Sequence, residues 1–194
     1  MKQKIMPPLV LAVISVVVCG LLVVANALTK DKIAQAQIEK TSQTLSETFG
    51  EADYTQLDIN INEIIYKDEK EHFPEHMIYE YPYADINAVY IGGGKTIFDI
   101  TADGYAKAGI NILVGFENDS ICGIGFLSLA ETPGLGTKIQ EDKSFTEQFL
   151  GASDKSYDFE VIAGATYSSM GMDKAVDTAL TAYYYCKEGG YINE

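Results

Sequence analysis

Three aliphatic hydroxyls, Thr166, Ser168 and Ser169, follow the small-residue run Ala163-Gly164-Ala165. They stand where an apolar strand pattern, Val161-Ile162, gives way to an amphipathic helix pattern. Small residues let a large ligand come close to the backbone. A helix N-terminus turns free N–H groups and the positive end of its dipole toward an anion. A phosphate is therefore welcome at this turn, and Thr166 is the hydroxyl placed to meet it. The same residues also suit a plain strand–turn–helix in which Ser168 or Ser169 merely supplies the N-cap.

Other chemistry is poorly served. Gly94-Lys95-Thr96 ends like a phosphate-binding Walker loop, but Val89 stands where that motif needs its first glycine. Gly134-Leu135-Gly136 lacks the third glycine of a dinucleotide fingerprint, since Ile139 occupies that place. His72 and His76 are four apart, yet Pro74 between them spoils a helix, which argues against a metal site. Cys19, Cys122 and Cys186 form no metal-ligand spacing; Cys122 and Cys186 read as small buried hydrophobes, with a disulfide as the alternative.

The elements that must position Thr166 follow from periodicity. Met172, Ala175, Val176, Ala179, Leu180 and Tyr183 recur at helical spacing behind the hydroxyls, with Asp173, Lys174, Asp177 and Thr181 opposite. Before them the pattern predicts strands over 53–66, 87–91, 95–102, 107–116, 121–129 and 157–163. Glu117-Asn118-Asp119-Ser120 is hairpin chemistry. Residues 67–82 read as a charged loop, 131–139 as a Pro/Gly loop, and 143–150 as a short helix. The fold class expected is α+β, one mixed domain over 51–194 with its motifs concentrated in 100–185.

That domain follows an apolar leader. Leu9 to Leu28 carries no charge and is long enough to span a bilayer, so residues 1–29 read as a cytoplasmic tip and single-pass anchor. Residues 30–50 read as a juxtamembrane helix. Lys2, Lys4 and the terminal amine favour an inside N-terminus, which places the rest outside the cytoplasm, at the cell's inner membrane; Lys30 and Lys32 weaken that signal. Ala25-Asn26-Ala27 offers the alternative of a cleaved signal peptide. From residue 50 onward nine Lys face 25 Asp and Glu, and the chain has no Arg. So acidic a surface repels phosphate backbones and excludes nucleic acid as a partner.

Ala163-Gly164-Ala165-Thr166, with Ser169 behind it, resembles the flavinylation motif of the FMN-binding domain family, Asp-x-x-Ser/Thr-Gly-Ala-Thr. Glu131-Thr132-Pro133-Gly134-Leu135-Gly136 is similar to that family's second signature, and Gly104-Tyr105 fits it also. Glu160 stands where the family has Asp, and Ala163 where it has Ser or Thr. The resemblance implies FMN held covalently through its phosphate on Thr166 by a separate flavin transferase. It implies cofactor contacts from Glu131, Thr132, Gly134, Leu135, Gly136, Lys138, Gly164, Ala165, Ser168 and Ser169, and no catalytic residue or metal. It further implies an electron relay among other membrane subunits of an ion-translocating, Rnf-type oxidoreductase. The alternatives are the C subunit of a sodium-translocating NADH:quinone reductase and a stand-alone extracytoplasmic flavin carrier.

Overall fold

A computed structural model describes residues 2–72 and 83–192. The chain divides into two units, Met1–Ser42 and Gln43–Glu194. The described part of the first is helical throughout and belongs to helix α1 (Lys2–Phe49), whose final turns fall in the second unit. Its stretch from Val10 onward reaches a mean hydropathy of 2.7, and none of that window is buried. The uncharged run from Leu9 to Leu28, at about 1.5 Å per residue, covers the roughly 30 Å of hydrocarbon. The polar side chains Ser15 and Thr29 are met internally: Ser15 Oγ donates to the Leu11 carbonyl and Thr29 Oγ1 to that of Ala25, both at 2.9 Å. A helix in lipid must satisfy its polar groups in this way.

The second unit is an antiparallel meander of five strands, β1 (Thr55–Gln56), β2 (Asp85–Gly92), β3 (Lys95–Ala102), β4 (Ile110–Glu117) and β5 (Ser120–Leu129), paired in chain order. Asn118 and Asp119 both take positive φ, 51° and 64°, which makes β4–β5 a two-residue hairpin whose turn twists with its strands. Period-two alternation gives the sheet two faces. Phe98, Ile100, Ile112, Val114 and Phe116 point to one side, where α5 (Thr166–Glu188) lies across β3 and β4 with Met172, Ala175, Val176, Ala179 and Leu180. Ile97, Leu113 and Leu127 point to the other, where Leu45 and Phe49 of α1 cover them. Gly115 makes that approach possible, for a Cβ there would stand 2.2 Å from the Phe49 ring. Cys122 lies on this second face and Cys186 in the first core, so the sheet separates them and both thiols are free. Burial pushes the Cys186 thiol up to about 12, which leaves it inert.

Several expectations are corrected. The segment predicted as a strand over 53–66 pairs only at Thr55–Gln56, and helix α2 (Ile61–His72) begins where Asn60 Oδ1 accepts the Glu63 N–H. Leu57 and Ile59 do face inward, as their alternation says; the Leu57 N–H still donates to the Val89 carbonyl of β2 at 2.8 Å, but no strand continues beyond it. The loop read over 67–82 is helical as far as His72; its remainder, with Pro74, His76 and Pro82, lies outside the described residues. β4 starts at Ile110 rather than 107, because Ala108, with φ of 50°, turns the chain. The short helix expected over 143–150 is α4 (Lys143–Glu147) and ends earlier; a separate helix, α3 (Lys138–Glu141), starts within the end of the segment read as the 131–139 loop, and Asp142 divides the two, its carboxylate accepting the Ser144 N–H. Residues 157–163 are not a strand. Tyr157, Phe159 and Ile162 pack on the core, and Gln148 Oε1 accepts the Glu160 N–H at 2.6 Å in place of a strand neighbour.

Candidate functional site

α5 begins at Thr166, not at the serines. Its N-cap is Ala165, which has no capping side chain, so Ser168 and Ser169 sit inside the first turn. Gly164 takes φ of 83°, a left-handed conformation natural to glycine, and reverses the chain into the helix. The Ala165 N–H closes this turn on the Ile162 carbonyl at 2.9 Å. Thr166 is exposed, and its hydroxyl takes part in no hydrogen bond among the described residues.

The two serines are fully buried and satisfied. Ser169 Oγ accepts the Ile162 N–H at 3.1 Å, holding the turn from behind. Ser168 Oγ donates to Glu131 Oε2 at 2.6 Å. The Glu131 carboxylate also accepts the N–H groups of Tyr105 and Ala106, at 3.2 and 3.1 Å. It is itself 7% exposed. Three glycines make the slot that receives it: a Cβ on Gly104, Gly109 or Gly136 would fall 2.5–2.6 Å from a carboxylate oxygen. The two signatures singled out in the sequence thus meet at one buried contact, Glu131 to Ser168.

The remaining predicted residues divide by exposure. Thr132, Gly134 and Leu135 are exposed at the tip of their loop, where the Gly134 N–H reaches Thr137 Oγ1 at 2.9 Å. Leu135 lies beside Gly164, its Cδ2 3.9 Å from where a Cβ on that glycine would stand. Gly136 and Ala165 are buried, and Lys138, half-buried, opens α3. Sequence reasoning named Tyr105 but passed over the exposed apolar rim it joins: the Tyr105 and Tyr167 rings meet edge to face at 6.3 Å, and Met170 lies a turn beyond Thr166. Tyr167 follows Thr166 directly, which was the available signal. No cluster of metal-ligating side chains occurs among the described residues.

Residues 104–181 match the model of the FMN-binding domain, which takes in β4, β5, the Glu131 loop and most of α5. Over that stretch the chain is similar to the FMN-binding domain family. Nearer the N-terminus, residues 8–48 match the RnfG N-terminal region. It is 29% identical over 195 residues to the G subunit of the ion-translocating oxidoreductase complex of Aliivibrio fischeri strain MJ11, covering 90% of this chain and 88% of that one. The corresponding protein of strain ATCC 700601 / ES114 is 29% identical over 193 residues with the same coverage.

Proposed function

We infer that this chain is a membrane-anchored electron-relay subunit of an ion-translocating, Rnf-type oxidoreductase complex, and that it carries FMN as a phosphodiester on Thr166. One observation carries the attachment: within a matched FMN-binding domain, Thr166 stands exposed and unengaged at the first position of an uncapped helix. The helix N-terminus offers its free N–H groups to the phosphate. The Tyr105–Tyr167 pair and Leu135 supply flat apolar surface suited to an isoalloxazine ring.

Attachment is a phosphoryl transfer. Thr166 Oγ1 attacks the FMN-side phosphorus of FAD, the pyrophosphate bond breaks, AMP leaves and the hydroxyl proton is released. A separate flavin transferase with magnesium catalyses the step. Bound FMN takes and gives one or two electrons; the chain itself holds the group and makes no substrate bonds. A covalent tether suits a domain outside the cytoplasm, where lost FMN is not replaced. Lys2 and Lys4 before the apolar run favour that orientation, and other membrane subunits supply donor, acceptor and ion path. The Aliivibrio relatives and the matched N-terminal region favour this reading over the C subunit of a sodium-translocating reductase or a stand-alone carrier.

The full chain, co-expressed with a flavin transferase, is expected to keep flavin fluorescence through denaturing electrophoresis and to gain the mass of one FMN. Thr166→Ala is expected to lose both. Covalent flavin on Thr166→Ala overturns the assignment.

A further inference from the structure

Attachment at Thr166 requires the first turn of α5 to present one hydroxyl outward in a fixed direction, and the role assigned here to Glu131 rests on that reading. Two residues along a helix rotate the side chain by about 200°, so Ser168 points inward where Thr166 points out. Whatever grips Ser168 sets the rotation of the turn and with it the place of Thr166 Oγ1. That grip is Glu131. Its carboxylate takes the Ser168 hydroxyl on one oxygen and, through both, the backbone of residues 105 and 106. Three glycine backbones close around it, for a Cβ on Gly104, Gly109 or Gly136 would stand 2.5–2.6 Å from a carboxylate oxygen. Glu131 is buried, and it reaches the attachment turn through Ser168, which is part of that turn.

We propose that Glu131 is a positioning residue for flavin attachment: through Ser168 it fixes the rotation of the first α5 turn, so that Thr166 Oγ1 is held where the phosphorus of FAD can be met in line. In-line attack tolerates little misplacement. A loosened turn therefore slows the transfer step itself more than the docking of chain on transferase.

The test is the rate of flavin attachment to the full chain in detergent, with flavin transferase, FAD and magnesium, resolved into kcat and the KM for the chain. The variants are Ser168→Ala, Glu131→Ala, Glu131→Gln and, as a control, Thr178→Ala. Thr178 is as buried as Ser168 and bonds the Ala84 N–H at 2.9 Å, but lies about three turns further along α5. Ser168→Ala is expected to lower kcat about tenfold with KM within about twofold. It still reaches one FMN per chain on long incubation, because Thr166 remains. Glu131→Gln, which keeps an amide oxygen for the Ser168 hydroxyl, is expected to recover part of the rate lost in Glu131→Ala. Thr178→Ala is expected to lower the Tm comparably and leave kcat unchanged. A wild-type kcat in Ser168→Ala, or an equal loss in Thr178→Ala, overturns the positioning role while leaving Thr166 as acceptor. Modification of Thr166→Ala would instead overturn the reading beneath it.

Discussion

The first turn of α5 has two sides that share a helix and little else. On the inner side Ser168, Ser169 and Met172 are fully buried, the Ser168 hydroxyl bonded to the distant Glu131 and the Ser169 hydroxyl to Ile162 in the segment entering the helix. On the outer side Thr166, Tyr167 and Met170 stand in solvent. The inner side is where tertiary packing is decided, and the outer side is where the Thr166 hydroxyl is left exposed and uncommitted. Fixing one side firmly is what allows the other to be exposed and still well placed.

The contrast is broken most severely at Gly136. A valine there drives side-chain carbons into Glu131 and Ser168, 2.6 Å from the position of its Cβ. Overpacking and the loss of a hydrogen bond to a buried carboxylate together cost about 4 kcal/mol, so Gly136→Val should lower the denaturant midpoint steeply and lose flavin attachment with it. A milder break compares two methionines on α5. Met172→Ala opens a cavity under the turn and should cost about 3 kcal/mol. Met170→Ala removes an exposed side chain and should stay within about 0.5 kcal/mol in the same denaturation measurement. If the two fall together, the inner and outer sides are not energetically distinct.

The smallest effect is on pH. Asp173 lies at the edge between the two sides, where Tyr157 donates to its Oδ1 at 2.6 Å. Desolvation raises its pKa above the ordinary 3.8, opposed by that hydrogen bond and by Lys155 and reinforced by Asp177. A carboxyl whose folded pKa is raised contributes stability below its unfolded pKa and loses it as pH rises through the folded value. Unfolding free energy measured across the window just above pH 3.8 should therefore decline less in Asp173→Asn than in the wild type. An unchanged slope means that Asp173 is not held off from water.

The strands β2 to β5 and the apolar face of α5 were legible because a sheet covered on both faces leaves short, nearly continuous apolar runs such as those of β3 and β4, and a helix buried on one stripe leaves apolar residues at helical spacing. The two misread strands, 53–66 and 157–163, show the limit of that signal. Leu57 and Ile59, and likewise Tyr157 and Phe159, are half-buried with exposed residues between them, outside any strand. Periodicity records which way side chains face, whereas a strand needs a neighbour for its N–H and C=O groups. Only β1's brief pairing and Gln148 reveal that those neighbours are mostly missing.

By itself the sequence determined the uncharged N-terminal run, the acidic surface, the helix behind Thr166 and the two signatures, since each is a matter of residue type and short spacing. Only the tertiary structure decided that Ser168 faces a carboxylate 37 positions away while Thr166 faces solvent. The reason is physical. Three glycine backbones, Gly104, Gly109 and Gly136, leave room for a single buried side chain, and only packing shows that Glu131 fills it.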